Sequence, residues 1–210
     1  MSNEYFDKQA AAWDDNPVRR ELTGAIAAFI LGTISLNKQF SVLDYGCGTG
    51  LLSFLLSDKA ASICAADVSD GMLAQVRKKI TDGNVKNIEA VNFDITKDKP
   101  LNRTFDLIVS AMAMHHIADA FTAITKLAQL LKPGGWLAIA DLCAEDGSFH
   151  EKGVVVHNGF EPEDIAKHIK SLKMASVIYK NVFEIPKNKK IYPVFCICGK
   201  KKQIRPCNSC

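Results

Sequence analysis

The chain has 210 residues, of which 48% are apolar, 23% are charged and 8% are aromatic, and its formal net charge is +3. This length suits one domain with a sizeable core, and the composition excludes collagen-like, disordered and disulfide-scaffold proteins. The small net charge gives no argument for a nucleic-acid partner. The 7 cysteines are scattered through strand-like and loop-like segments, which predicts a reduced, cytoplasmic protein.

The first long apolar segment is Leu22–Leu36, a run of 15 residues without a charge. A membrane-spanning helix needs about 20 predominantly apolar residues, so the run predicts a core-facing helix and no membrane span. Acidic residues precede it and no small-residue cleavage pattern follows, which argues against a secretory signal. We assign residues 1–36 to an N-terminal helical cap, residues 37–198 to the main domain and residues 199–210 to a basic, cysteine-containing tail.

From Phe40 onward, short β-branched or apolar runs alternate with helical patterns. The runs predict five buried strands, and the patterns between them predict three helices. The predicted strands are Ser41–Tyr45, Ser62–Ala66, Asn87–Phe93, Phe105–Ser110 and Trp136–Asp141. The predicted helices are Gly50–Lys59, Asp70–Thr81 and Asp119–Leu131, and the turn Lys132–Gly135 stops the last of them.

The last part of the main domain predicts one more helix, Glu163–Leu172, and two strands, Ala175–Ile185 and Lys190–Cys198. Alternating strands and helices favour parallel pairing through right-handed crossovers. Two consecutive strands joined by a short turn form a hairpin, so one of them must run antiparallel to its neighbour. The predicted fold is therefore an α/β domain whose sheet is mostly parallel, with an antiparallel strand at one side.

A glycine loop links the first predicted strand to the helix that follows it. Gly46, Gly48 and Gly50 form a G-x-G-x-G series, and Leu51 stands where the dinucleotide fingerprint has its last glycine. Glycines permit positive φ and expose bare backbone to a ligand at the positive end of a helix. The loop therefore predicts a ligand site, although a glycine-rich turn alone is also compatible with a purely structural role.

Acidic residues follow the next two predicted strands. Asp67 lies 17 residues beyond Gly50, where a carboxylate can accept two hydrogen bonds from a ribose diol. Asp94 follows the third strand and is placed to accept from an exocyclic amine, with Phe93 near a purine face. Either aspartate alone could instead cap a helix or belong to an ordinary loop. Together with the glycine loop they favour a nucleoside site, because open α/β sheets bind ligands at this edge.

With these motifs in order, the chain resembles the class I S-adenosylmethionine (SAM)-dependent methyltransferases, in their small-molecule, ubiquinone/menaquinone-biosynthesis-like branch. The resemblance rests on Leu43–Gly50, Asp67, Asp94, the strand motif Phe105–Ser110 and the late glycine turn Leu131–Gly135. It implies a Rossmann-like methyltransferase fold with a seven-stranded sheet that ends in the antiparallel hairpin and has helices on both faces.

The resemblance also implies SAM as the cofactor. The backbone of Gly46–Gly50 would hold its methionine part, and Asp67 would bind its ribose. The residues that the resemblance assigns to cofactor binding are Asp44, Gly46, Cys47, Gly48, Gly50, Asp67, Val68, Phe93, Asp94 and Ser110.

The segment after the fourth predicted strand supplies candidates for catalysis. In-line methyl transfer from a sulfonium needs positioning and a dry site, and it requires neither a metal nor a covalent intermediate. A general base helps when the acceptor must lose a proton. An unperturbed imidazole titrates near pH ~6.5, so His115 or His116 could take that proton, and either could equally pack beneath the loop.

A second polar cluster lies between residues 141 and 160, in a connection long enough to be a lid or a recognition loop. His157 of this cluster is a further catalytic candidate. Asp141, Asp146 and His157 could together hold a divalent metal. A substrate-recognition loop without metal is the favoured interpretation, and a plain surface loop is the alternative.

The N-terminal segment combines aromatic and acidic residues. In the resembling family such a segment often closes over the cofactor and the acceptor, and Tyr5, Phe6 or Trp13 could shield a sulfonium by cation–π attraction. An ordinary amphipathic docking helix is the alternative.

Four cysteines stand near the end of the sequence: Cys196, Cys198, Cys207 and Cys210. Four thiolates suffice for a tetrahedral zinc site. Two buried strand cysteines followed by a frayed basic end explain the pattern more simply.

The acceptor class is narrowed by motifs that the sequence lacks after the fourth predicted strand. Ser110–Ala113 stands where amino-group DNA methyltransferases have an Asn/Asp-Pro-Pro-aromatic turn, and neither a Pro-Cys motif nor a pair of glutamates occurs there. No basic stripe with interleaved aromatics suggests RNA. A small-molecule methyl acceptor, without nucleic acid, is therefore favoured. The alternatives are a NAD-dependent oxidoreductase, which Leu51 and the terminal hairpin disfavour, and a non-catalytic methyltransferase-like partner subunit.

Overall fold

The computed structural model describes residues 4–150 and 156–203, which form one seven-stranded sheet with flanking helices. The strands are β1 (Ser41–Tyr45), β2 (Ser62–Asp67), β3 (Ile88–Asn92), β4 (Phe105–Ala111), β5 (Leu131–Leu142), β6 (Met174–Lys187) and β7 (Lys190–Lys201). The α-helices are α1 (Glu4–Gln9), α2 (Pro17–Thr33), α3 (Leu51–Ser57), α4 (Asp70–Asp82), α5 (Ala120–Gln129) and α6 (Pro162–Ser171). Short 3₁₀ helices cover Ala10–Asp15 and Met114–His116.

The strand order is β3-β2-β1-β4-β5-β7-β6. β1 to β5 pair in parallel, whereas β7 runs antiparallel to both β5 and β6. The predicted fold class is therefore confirmed, including the antiparallel strand of the terminal hairpin. The strand order reverses between β1 and β4, and ligands of open α/β sheets bind in the crevice outside such a switch point.

The sheet separates two hydrophobic cores because side chains alternate along each strand. On β1, Leu43 packs with buried residues of α5 and α6, whereas Val42 packs with buried residues of α2 and α3. α2 begins after the cap Asn16, whose side chain accepts from the Val18 N–H at 2.9 Å, and buries Ile26 and Ile30. The predicted core-facing helix is thus confirmed. None of the described helices combines the length and apolar character that a membrane crossing requires.

The beginning of β5 differs from the prediction. Leu131 already pairs with Phe105, and regular pairing resumes only where Trp136 lies opposite Leu107. The intervening residues, predicted as a turn that ends a helix, form a bulge within the strand. Lys132 secures this bulge through its Nζ, which donates to Asp106 Oδ2 at 2.7 Å.

The C-terminal hairpin extends further than predicted. Asn188 and Lys189 form its tight turn with φ values of 52° and 61°, and Gly199 still pairs with Leu137 of β5. The predicted boundary of a tail at residue 199 therefore falls inside β7. Cys196 and Cys198 are both fully buried, as expected for strand cysteines, whereas Cys207 and Cys210 of the zinc alternative lie outside the described residues.

Candidate active site

A cavity of about 910 Å³ lies at the carboxyl ends of the central strands. Its wall includes residues that directly follow three of these strands: Gly46 after β1, Val68 after β2 and Met112 after β4. The N-terminal segment, α2 and the β6–β7 hairpin complete the wall. The cavity therefore occupies the switch point that the strand order creates.

The glycine loop borders this cavity with bare backbone. Gly46, Gly48 and Gly50 have φ values of 70°, 54° and 83°, a region that favours glycine. A Cβ on Gly46 would lie 2.4 Å from the Cβ of Ala113, whereas nothing lies within 4 Å of the corresponding position on Gly48. Gly50 is not part of the cavity wall. A Cβ there would lie 3.2 Å from Phe54 and Val76, so this glycine allows α3 to pack closely on α4.

Asp67 holds the glycine loop from the end of β2. Its Oδ2 accepts from the Gly48 N–H at 2.8 Å, and its Oδ1 accepts from the Ser69 N–H at 2.9 Å. Burial raises the pKa of this carboxyl, and the hydrogen bonds from Ser69 and Gly48 oppose the rise. The Val68 N–H is a third backbone donor to this carboxylate. Asp67 and Val68 both lie in the cavity wall, and their assignment to a ribose site stays a prediction.

Asp44 and Cys47 also line the cavity, but their side chains already form hydrogen bonds within the protein. Ser53 Oγ of α3 donates to Asp44 Oδ2 at 2.6 Å. Burial raises the pKa of Asp44 to about 7, against the opposing hydrogen bond from Ser53. Burial also raises the pKa of the Cys47 thiol. Cys47 therefore stays neutral, which gives it no role as a nucleophile.

Replacing Asp44 by asparagine is expected to raise thermal stability, more at pH 8 than at pH 5. The folded-state pKa of about 7 lies above the ordinary value of 3.8, so between these values the unfolded chain binds fewer protons than the folded chain. Stability consequently falls as the pH rises through this window, by at most about 4 kcal/mol. The uncharged amide of the variant would avoid this loss and still accept from Ser53. Thermal melts at pH 5 and pH 8 measure this effect, and the variant Asp58→Asn, which changes an exposed aspartate, is the control. A gain in thermal stability of Asp44→Asn that did not depend on pH would contradict this reasoning.

Of the remaining predicted cofactor residues, Asp94 lies in the cavity wall, whereas Phe93 and Ser110 lie outside it. Asp94 lines the cavity, and its carboxylate accepts from the Thr96 N–H at 2.9 Å and pairs with Lys97 at 3.0 Å. Phe93 is not part of the cavity wall; it packs edge-to-face on Tyr45 in the core, with 6.1 Å between ring centroids. Ser110 lies behind the wall as well and ties β4 to β1 by donating to the Tyr45 carbonyl at 2.8 Å. The expected contact of Phe93 with a purine face is therefore not met.

His115 forms a buried pair with Asp141 of β5. The imidazole is only 1% exposed, its Nδ1 contacts Asp141 Oδ1, and its backbone N–H donates to Asp141 Oδ2 at 3.2 Å. A carboxylate only accepts hydrogen bonds, so Nδ1 carries the proton and Nε2 is left as an acceptor. This Nε2 is buried without a hydrogen-bond partner among the described residues. His115 lines the cavity, so the arrangement offers a base to a ligand there.

Two further imidazoles surround His115 in the cavity wall. The ring of His116 lies 4.0 Å from that of His115 and 5.1 Å from that of Phe6, between centroids. The ring of His150, which precedes the undescribed residues 151–155, lies 5.0 Å from that of His115. Burial is the main cause that lowers the pKa of His150 to about 4, and the nearby charge of Lys187 contributes. His150 is therefore neutral at physiological pH.

The structure does not bring His157 into the cavity. Its Nε2 lies 3.0 Å from the Ile117 carbonyl and 3.1 Å from the Ala118 carbonyl, so it anchors the loop instead of contacting a ligand. Asp146 pairs with Lys190 at 2.6 Å, while Asp141 is occupied by His115. The three residues of the metal alternative therefore serve three separate contacts, and no metal-binding group of three such side chains occurs in the described part of the chain.

The N-terminal segment lies over the glycine loop. Asp14 Oδ1 accepts from Thr49 Oγ1 at 2.5 Å, and Lys79 Nζ pairs with the same carboxylate. Asp7 Oδ1 accepts from Ser69 Oγ at 2.6 Å and from the backbone N–H at the start of α4. The aromatic residues predicted to close over a ligand all line the cavity, namely Tyr5, Phe6 and Trp13. The two anchoring aspartates were not predicted, because their partners lie 35 to 65 residues away in sequence.

Residues 42–135 match the family model described as "Methyltransferase domain". The fold agrees with that match, since the DhpI–SAH complex superposes with a TM-score of 0.71 at 20% identity, covering 97% of this chain and 96% of that one. The chain contains a class I S-adenosylmethionine-dependent methyltransferase domain. The glycine loop, Asp67 and Asp94 all lie within the matched region of this methyltransferase domain.

Relatives of the methyltransferase domain are found in yeast and bacteria. The chain is 36% identical over 158 residues to an "Uncharacterized methyltransferase" of Schizosaccharomyces pombe, covering 67% of this chain and 56% of that protein. It is 36% identical over 123 residues to a "Malonyl-[acyl-carrier protein] O-methyltransferase" of Priestia megaterium, covering 58% of this chain and 43% of that protein. The chain thus spans about half the length of these curated relatives.

Proposed function

We propose that this protein is an enzyme that transfers the methyl group of SAM to a small-molecule acceptor. The observation that carries the proposal is the wall of the cavity, which combines the glycine loop and Asp67 with the buried base His115. Its volume of about 910 Å³ lies near the upper end of the range for small-molecule sites, roughly 300–1,000 Å³. This space accommodates a cofactor together with a second small molecule.

The residues present fit SAM. The open position over Gly48 leaves room for the methionine part, and the Asp67 carboxylate in the cavity wall can accept from a ribose hydroxyl. When bound, SAM supplies an electrophilic methyl group on a sulfonium. The aromatic residues of the N-terminal segment exclude water from this region, and positioning in a dry site supplies much of the rate.

His115 takes the proton that an acceptor must lose. Its Nε2 is held as the accepting nitrogen because Asp141 receives the hydrogen of Nδ1. Asp141 also stabilises the imidazolium that forms after proton transfer, because the carboxylate lies against the charged ring. No metal is needed for these steps. The O-methyltransferase activity in the name of the Priestia megaterium relative supports an oxygen acceptor.

Replacing Asp67 by alanine is expected to weaken binding of S-adenosylhomocysteine (SAH), the demethylated product of SAM. The ribose hydroxyls would lose their partner, and the Gly48 N–H would lose its acceptor, which together cost about 1–3 kcal/mol, or about 5- to 150-fold in affinity. Isothermal titration calorimetry measures this change. Asp82→Ala, which removes an exposed aspartate paired with Lys78, is the control and should bind SAH as the wild type does.

The same titration separates the competing functions. A nicotinamide-dependent oxidoreductase would bind NAD(H) and not SAH, which would overturn the proposal. A non-catalytic partner subunit would bind SAH and transfer no methyl group. Incubation with methyl-labelled SAM and a fractionated metabolite extract tests for transfer. If Asp67→Ala bound SAH as tightly as the wild type does, Asp67 would not belong to the ribose site.

A further inference from the structure

We propose that the acceptor carries a weakly acidic hydroxyl group, that of a phenol or an enol, which is held between His115 and His150. This inference rests on the proposed function and identifies the substrate class of the same cavity. It also assigns to His150, a residue of the loop between β5 and α6, the role of an acceptor-binding residue.

Two unsatisfied nitrogens carry the inference. The Nε2 atoms of His115 and His150 are both buried and have no hydrogen-bond partner among the described residues. Both residues line the cavity, and their ring centroids are 5.0 Å apart with an interplanar angle of 35°. A buried polar atom without a partner is costly and rare in a native protein. A ligand that hydrogen-bonds to both nitrogens would remove this cost.

The hydrogen-bonding roles of the two nitrogens select a hydroxyl. His115 Nε2 can only accept, because Asp141 fixes the hydrogen on Nδ1. His150 is neutral and can donate from Nε2. An oxygen that donates its proton to Nε2 of His115 and accepts from Nε2 of His150 satisfies both nitrogens.

Two cations of the cavity wall argue against an amine as the acceptor, and the accepting Nε2 of His115 argues against a carboxylate. Lys187 and Arg19 line the cavity, Lys187 lies 4.7 Å above the Phe149 ring, and Arg19 lies 3.6 Å above the Trp13 ring. These two cations disfavour an ammonium group and favour an oxygen that becomes negative. A carboxylate has no proton to give to His115 Nε2 at neutral pH, so the two lone pairs would repel each other.

The apolar side chains of the cavity wall indicate the chemical character of the rest of the acceptor molecule. Leu22 and Ile26 of α2, Phe149 and Ile185 contribute apolar side chains to it. The carboxylates of the wall come from other elements of the fold: Asp44 lies on β1, Asp67 ends β2, Asp94 follows β3, and Asp119 caps α5 by accepting from the Thr122 N–H at 2.9 Å. An apolar or aromatic body that bears one acidic hydroxyl therefore fits this part of the cavity.

The reaction is balanced without a further reactant. The O–H bond of the acceptor breaks, and its proton goes to Nε2 of His115. The oxygen lone pair forms the new bond to the methyl carbon as the carbon–sulfur bond of SAM breaks, and that electron pair returns to sulfur. The products are a methyl ether, SAH and a His115 imidazolium held by Asp141, which then loses its proton to solvent.

A set of three probes with one ring system tests the substrate class: 1-naphthol, 1-naphthylamine and 1-naphthoic acid. With methyl-labelled SAM, transfer to 1-naphthol is expected to be at least tenfold faster than to the other two. Binding of the probes to SAH-saturated protein is measured in parallel, and 1-naphthol should bind most tightly. Faster transfer to the amine or the acid, tighter binding of either, or absence of naphthol binding would overturn the inference. If the wild-type protein also failed to bind SAH, the proposed function itself would be wrong.

Variants of His150 test the residue assignment. His150→Phe keeps an aromatic ring beside Phe149 and removes Nε2, so KM for 1-naphthol should rise at least fivefold while SAH affinity stays unchanged. His150→Gln restores a side-chain donor and should recover part of this loss. His168→Phe, on the outer helix α6 where the imidazole contacts the Phe121 carbonyl at 3.0 Å, is the matched control. An unchanged KM in His150→Phe, or a loss that glutamine does not relieve, would remove His150 from the acceptor site.

Discussion

Replacing Gly46 by alanine is expected to abolish cofactor binding and to lower the melting temperature by roughly 5–15 °C. The new Cβ would lie 2.4 Å from the Cβ of Ala113, and the residue would keep a φ of 70°. Overpacking costs about 1–3 kcal/mol, and the left-handed conformation adds about 1–2 kcal/mol for a residue with a side chain. In a domain of this size each 1 kcal/mol corresponds to about 2–4 °C.

The loop cannot relieve this clash by a small shift. The Gly46 and Cys47 N–H groups both donate to the Ala66 carbonyl, at 2.8 Å and 3.0 Å, and Asp67 holds the Gly48 N–H. Movement of Ala113 instead would displace the 3₁₀ helix that carries His115. The substitution should therefore affect both the cofactor and the catalytic side of the cavity.

Thermal melts and calorimetry with SAH measure the effect of Gly46→Ala. Gly32→Ala is the matched control, because Gly32 lies on an exposed face of α2 with nothing within 4 Å of a new Cβ. Removing a helix glycine there should stabilise the protein by about 0.5–1 kcal/mol and leave SAH affinity unchanged. Wild-type affinity in Gly46→Ala would show that the loop does not need a glycine at this position.

The sequence predicts the inner strands and the glycine loop well because their signals are local. The predicted strand Ser41–Tyr45 begins and ends at the same residues as β1. Gly46, Gly48 and Gly50, which the sequence pattern identifies, all have positive φ values. The bulge at the start of β5 could not be predicted in this way. It depends on Lys132 reaching Asp106, a contact that exists only once β4 and β5 are paired.

Site residues were predicted correctly where their place at the end of a strand brings them to the cavity. They were predicted wrongly where the direction of the side chain decides whether it reaches the cavity. Asp67 is the last residue of β2 and lines the cavity, whereas Phe93 directly follows β3 and packs in the core. His157 was assigned by residue type, but the path of its loop turns it toward two backbone carbonyls. The pairing of His115 with Asp141 joins residues 26 positions apart, which no local pattern indicates.

Replacing His115 by alanine is the second substitution with a large expected effect. If Nε2 of His115 accepts the proton of the acceptor, kcat should fall by about 10²- to 10⁴-fold, the usual contribution of a positioned general base. Stability should also fall by about 1–3 kcal/mol, because the fully buried Asp141 would keep only backbone partners. SAH affinity should stay close to that of the wild type, since the side chain of His115 bonds to Asp141 and the glycine loop is held by Ala66 and Asp67.

Steady-state methyl transfer at saturating SAM measures this loss, and calorimetry with SAH checks the cofactor site. His168→Ala removes an imidazole outside the cavity wall and should retain wild-type kcat. His116→Ala distinguishes the two adjacent candidates: His116 lines the cavity and packs against Phe6, whereas His115 forms the ion pair with Asp141. If His116→Ala lost as much kcat as His115→Ala, pairing with Asp141 would not determine which histidine acts as the base. If His115→Ala kept the wild-type kcat, the reaction would need no general base, and positioning of the substrates would be sufficient.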